Sequence, residues 1–187
     1  MPKSSTTPLV LMILLLLASP LAAAKLAGVS MGDTAKVGEE TLVLNGLGLR
    51  KKAIFKVYVG ALYLPKKQSD GGAILAADEP RRLAMEFVRK VGADSLVGAW
   101  NDCLTANSPN ASADVRKGFE SLNGWMADVG SGDRLVFTYS PAGGTEVQVK
   151  GTKKGVVAGK PFADALFACW IGDVPPSEDF KKGLLGG

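Results

Sequence analysis

The chain has 187 residues, with 22 lysines and arginines against 18 acids, a formal charge of +4, two cysteines and no histidine. Without histidine there is no Ser–His or Cys–His nucleophilic pair and little to hold zinc or iron, so neither a metal nor a cofactor is expected. The basic residues are scattered in "RKK", "PKK", "PRR" and "TKKG" with no aromatic interleaving, so they read as solvated loop charge and nucleic acid is not an expected partner.

The N-terminus sets the expected compartment. Lys3 precedes the apolar run "PLVLMILLLLASP", and small residues then lead to Ala24. This is the pattern of a secretory signal peptide over residues 1–24, cleaved before Lys25. The run is short for a bilayer span, so no stable membrane insertion is expected after cleavage. Residues 25–187 would form one exported domain, periplasmic or secreted. In such a compartment Cys103 and Cys169 could pair. As buried cysteines on helices they could equally stay free. The sequence leaves both open and leans to the free form.

Along the chain, Thr41–Leu49 and Ala53–Leu64 read as two strands joined by a turn at "RKKA". "RRLAMEFVRKV" alternates Leu83, Met85 and Phe87 against Ala84, Glu86 and Val88, a third strand. "GADSLVGAWNDCLTAN" repeats apolar residues at helical spacing, with Asp94 or Ser95 as N-cap. A second helix follows, capped by Ser112, with Val115, Phe119, Leu122 and Met126 as its stripe. "LVFTYS" and "TEVQVKG" flank a "PAGG" turn, and "TKKG" reverses the chain again into "VVAG". "KPFADALFACWIG" is an amphipathic helix, and "VPPSEDFKKGLLG" a short terminal one begun by its prolines. Grouped strands and helices of this order predict an α+β fold with an antiparallel sheet.

The segments "LNGLGLR", "FKVYVGALYL", "PRRLAMEFVRKV", "RLVFTYSPAGGTEVQVKG" and "LFACWIGDVPPSEDFKKGLLG" together resemble the chalcone isomerase superfamily, and within it the bacterial chalcone isomerase-like proteins. The resemblance implies an open-faced β-sandwich, an antiparallel sheet with helices on one face and a ligand cleft between the layers. Family members include plant enzymes that close a chalcone into a flavanone, plastid fatty-acid binders, and relatives that act as binding partners. Arg50, in "GLR", matches the family arginine that steadies a phenolate in the enzymes and a carboxylate in the binders. Both tasks suit a forked, permanently charged donor. Tyr58 falls where the enzymes have a threonine and the binders a tyrosine. Arg50, Tyr58, Gly46, Gly48 and Gly60 share even parity, so a tight turn would put them on one face, where the glycines would leave room for a cavity.

Other enzyme positions are replaced. Matched on the cysteine of "SLVGAWNDC", the enzymes' tyrosine and asparagine fall on Ser95 and Asp102, and their C-terminal threonine and its neighbour fall on Cys169 and Trp170. Losing these contacts speaks against cyclisation, which needs its substrate held in a near-attack pose. The matched positions also bring the two cysteines into the same region, where a disulfide is open. The leading expectation is a non-catalytic binder of a small amphipathic anion such as a fatty acid. Arg50, Tyr58, Asp102, Cys169 and Trp170 would be its ligand-binding residues, with Leu96, Trp100 and Leu166 as further wall. The alternatives are an isomerase or intramolecular lyase on a chalcone-like enone using Arg50 and Tyr58, with a phenolic ligand, and an interaction module without a small ligand.

Overall fold

The computed structural model describes residues 23–187. The expected signal peptide lies outside the described residues except for Ala23 and Ala24. Those two belong to β1 (Ala23–Leu26), which pairs with β2 (Val29–Gly32) as a small antiparallel hairpin. The expected cleavage point therefore falls inside β1.

Seven further strands form one antiparallel sheet: β3 (Thr34–Val37), β4 (Glu40–Lys52), β5 (Phe55–Leu64), β6 (Arg81–Phe87), β7 (Arg134–Ser140), β8 (Gly144–Val149) and β9 (Thr152–Val157). Each pairs with its neighbour in the chain, so the sheet is a simple meander. The helices are α1 (Gly71–Ala76), α2 (Ala93–Asn107), α3 (Ala113–Gly124), α4 (Lys160–Ile171) and α5 (Glu178–Leu184). They pack on one face, giving the open-faced α+β sandwich expected.

The two-residue period of the strands sorts the core. Leu83, Met85 and Phe87 on β6, with Leu135, Phe137 and Tyr139 on β7, point to the helices and join the main core. Val59, Ala61 and Tyr63 on β5, with Ala84 and Val136, point the other way. There they meet Val29 and Met31 of the β1–β2 hairpin. Each such side chain contributes roughly 1.5–3 kcal/mol when buried, so the small hairpin closes a second core on the back of the sheet. Tyr63 ties it down by donating its hydroxyl to the Gly32 carbonyl at 3.0 Å.

Several local readings are corrected. The reversal before β9 is at Lys150 and Gly151, with φ of 54° and 76°, two consecutive left-handed residues that turn a tight hairpin. "TKKG" is thus strand, not turn. α2 starts after Gly92 rather than at Asp94 or Ser95, because the Asp128 carboxylate reaches back to accept the Ala93 N–H at 3.0 Å. Ser112 caps α3 as expected, accepting from the Val115 N–H. α3 ends at Gly124, so Met126 packs against the core from beyond the helix. α1 was not foreseen: two of its six residues are glycines, poor helix formers, and the Asp70 side chain caps it.

The largest correction concerns "PRR". Arg81 is not solvated loop charge but is 1% exposed. Its guanidinium pairs with Asp164 of α4 and donates to the Ile74 carbonyl at 2.9 Å. The rings of Tyr139 and Phe167 lie 4.9 and 5.0 Å from its central carbon. It sits on the helix-facing parity of β6, in step with Leu83 and Met85, and so is carried inward.

Candidate functional site

β4 and β5 are joined by Ala53 and Ile54 alone, so both strands run through the stretch that read as a turn. Arg50 is therefore a strand residue, directly opposite Tyr58. The register shifts just beyond this pair, where Val57 is the extra residue of a β-bulge that bends the hairpin end. Gly48 faces Gly60 across the same ladder, and Gly46 faces Leu62, so parity did place these glycines with Arg50 and Tyr58. Their role differs from the one expected. A Cβ on Gly48 would lie 2.6 Å from the Phe180 carbonyl oxygen, and one on Gly60 2.7 Å from the Phe180 ring. The glycines admit α5 against the sheet and do not hollow out a cavity.

The cavity lies beside them. A cleft of about 740 Å³ opens between the β4–β6 end of the sheet and helices α2 and α4, and all five expected site residues border it. Its volume is within the roughly 300–1,000 Å³ of small-molecule sites. Arg50 is half-buried. Its Nη1 donates to the Lys51 carbonyl at 2.6 Å and to the Pro176 carbonyl at 2.8 Å. Those bonds fix the plane of the guanidinium. Its Nε and Nη2 make no hydrogen bond or ion pair among the described residues.

Tyr58 is buried, its ring against Phe87 and edge-on to Phe180. Burial pushes its hydroxyl pKa up to about 12, although the Trp170 indole and the Arg50 charge both pull it down. It is therefore a proton donor throughout the neutral range. Trp170 and Trp100 meet edge-to-face at 5.6 Å and give the cleft an aromatic floor, with Leu96 beside them. Leu166 is fully buried and does not border the cleft.

Asp102 is exposed on α2, the one carboxylate on the cleft's border. Four cations border it as well, Arg50, Lys52, Arg89 and Lys90, so the site carries a positive field. Cys169 is bonded to Cys103, with 5.3 Å between their Cα atoms. The lean to free thiols is thus overturned: α2 and α4 cross where these residues meet, and the bridge pins the two helices beside the cleft.

Four contributors were not singled out from sequence. The Pro176 carbonyl orients Arg50, a backbone role no side-chain pattern reveals. Asn107 clamps the loop that carries it, with its Oδ1 accepting from the Val174 N–H at 2.9 Å and its Nδ2 donating to the Val174 carbonyl at 3.0 Å. Phe55 and Arg89 border the mouth, the guanidinium 4.6 Å from the ring centre. Their pairing depends on the β5–β6 register, which the sequence does not state.

A seven-stranded curled sheet with a polar pair facing a helix-roofed cleft defines a class of protein. The profile of the chalcone isomerase-like family matches residues 23–186, and the chain belongs to that family. Among solved structures, a fatty-acid binding protein of Arabidopsis thaliana superposes with a TM-score of 0.68 at 16% identity, covering 88% of this chain and 96% of that one. The comparison with curated proteins gives no significant match.

Proposed function

We propose that this protein is an exported, non-catalytic binder of a small amphipathic carboxylate, most simply a fatty acid, held in the sheet–helix cleft. The observation that carries the reading is the Arg50–Tyr58 pair. A forked cation with two unengaged nitrogens stands directly across the ladder from a hydroxyl that stays protonated. Behind them lie Leu96, Trp100 and Trp170. Two donors at one end of an apolar cleft suit a carboxylate head and an aliphatic tail. The structural neighbour is named as a fatty-acid binding protein, which agrees with this reading. The chain has no histidine, and the one carboxylate bordering the cleft is exposed at its rim, so no buried general base faces the pair. The bridge between Cys103 and Cys169 favours an oxidising compartment and so supports export.

The test is a titration with dodecanoate and hexadecanoate, followed by the fluorescence of the cleft tryptophans and by calorimetry. A hydrogen bond to a charged group is worth about 1.5–3 kcal/mol, so Arg50→Ala should weaken binding at least tenfold. Tyr58→Phe should weaken it a few-fold. The methyl ester of the same acid should bind wild type no better than the acid binds Arg50→Ala. Equal affinity for acid and ester would remove the carboxylate from the account.

A further inference from the structure

We propose that the tip of the β4–β5 hairpin is a docking element for an anionic lipid surface, placed beside the cleft so that a ligand passes between bilayer and cleft. The docking stands on its own observations, and the transfer rests on the binding reading above.

Exposed apolar side chains are concentrated there. Among the described residues four large ones are exposed: Ile54 at 86%, Phe55 and Val174 at 54%, and Val156 at 44%. Phe55 and Val174 border the mouth of the cleft, and Ile54 adjoins Phe55. Single exposed apolar residues are ordinary on a protein surface, but three around one opening form a patch. The turn is also costly. Ala53 has φ of 52°, a left-handed conformation that an L-residue with a Cβ adopts only under strain. A glycine in place of Ala53 would make the same reversal without strain, since Ala53 is the central residue with positive φ. The chain instead places Ala-Ile-Phe at this exposed turn, which favours a role for that apolar tip outside the fold.

The charge around the tip matches an anionic surface. No acidic residue occurs between Glu40 and Asp70, whereas Lys51, Lys52 and Lys56 flank the turn. None of these lysines forms an ion pair among the described residues. Arg89 stands over the Phe55 ring, and Lys90 makes only a 3.7 Å exposed contact with Asp128. Apolar side chains ringed by long cationic ones enter the headgroup region while the ammonium and guanidinium groups meet lipid phosphates. Each cation near an anionic bilayer strengthens binding about fivefold. The patch is small, so docking is peripheral and reversible. Among the described residues no helix is long and apolar enough to cross a membrane.

The test is flotation of the protein, as recovered after export, with phosphatidylcholine vesicles and with vesicles containing phosphatidylglycerol. Two variants avoid the residues that border the cleft or orient Arg50: Ile54→Ser and Lys56→Glu. Any contribution of the N-terminal apolar run is common to all chains compared. Wild type should float with the anionic vesicles and not with the zwitterionic ones, and 0.5 M salt should release it. Ile54→Ser should lower the partition at least tenfold, and Lys56→Glu at least about fivefold. Both variants should keep wild-type affinity for dodecanoate in solution, which separates docking from binding. If dodecanoate fails to bind any chain while vesicle binding keeps these differences, the cleft reading falls and docking stands. Wild type that stays in the aqueous phase, or variants that float like wild type, would overturn the proposal.

Discussion

The Cys103–Cys169 bridge allows a stability change to be worked out before it is measured. It joins α2 to α4 across a sequence separation of 66 residues. Chain-entropy arithmetic for a loop of that size gives about 4 kcal/mol of stabilisation, by restricting the unfolded chain. For a chain of this length that corresponds to a fall in Tm of roughly 8–16 °C on reduction. Reduction is a cleaner perturbation than substitution, because Cys169 is buried and a serine there would bury a hydroxyl. The assay is thermal and urea unfolding of wild type with and without a thiol reductant, with free thiols counted in the native protein. Because both cysteines border the cleft, reduction should also loosen α2 from α4 and weaken ligand binding. Two titratable thiols in the untreated protein, or unfolding curves that coincide within about 1 kcal/mol, would refute the reasoning and return the cysteines to the role of small buried hydrophobes.

Other outcomes follow from the same structure. Asp164→Asn leaves the Arg81 cation, which is 1% exposed, without its carboxylate. Urea unfolding should show a loss of about 3–5 kcal/mol; a loss below about 1 kcal/mol would mean that the backbone carbonyls and flanking rings suffice. Gly48→Ala puts a methyl 2.6 Å from the Phe180 carbonyl, so α5 must move. A cost of about 1–3 kcal/mol is expected, with faster hydrogen exchange in Glu178–Leu184. Tyr58 titrates near pH 12 in the fold against 10.0 in the open chain. Its raised pKa means that stability is full below pH 10 and falls as pH climbs from there through 12, by about 1.4 kcal/mol per unit. Absorbance of tyrosinate should show the delayed ionisation, and Tyr58→Phe should lower its amplitude by one tyrosine's share, because Tyr63 and Tyr139 are also shifted upward by burial. Carboxylate affinity should stay flat across neutral pH, since Arg50 keeps its charge and Tyr58 its proton, and should fall only as the ligand's own carboxyl protonates near pH 4–5.

Much of this molecule is legible in its sequence, and the parts that are not share a physical cause. Strand β6 announces itself through two-residue alternation, β4 more weakly so, β5 through a run rich in β-branched and aromatic residues, β7 and β8 through the turn between them, and the Arg50–Tyr58 pair through parity. Parity carries no information about what fills the space opposite. Gly46, Gly48 and Gly60 therefore read as a hollow, whereas the structure fills that space with Phe180 and the backbone of α5. Tertiary packing decides such cases, as it does for Arg81, whose basic neighbourhood "PRR" suggests solvent although its strand position faces the core. The β1–β2 hairpin is four residues per strand and gains stability only by covering Val59 and Tyr63, so local pattern alone does not reveal it. The disulfide depends on the crossing of α2 and α4, a long-range geometry that spacing cannot supply.

The central claim is that Arg50 anchors a bound carboxylate. Native mass spectrometry of the purified protein, wild type beside Arg50→Ala, tests it most directly. The account expects a discrete added mass in wild type, from co-purified acid or after incubation with dodecanoate, and its loss in the variant. An adduct of equal occupancy in both proteins, or none in either after incubation, would contradict it.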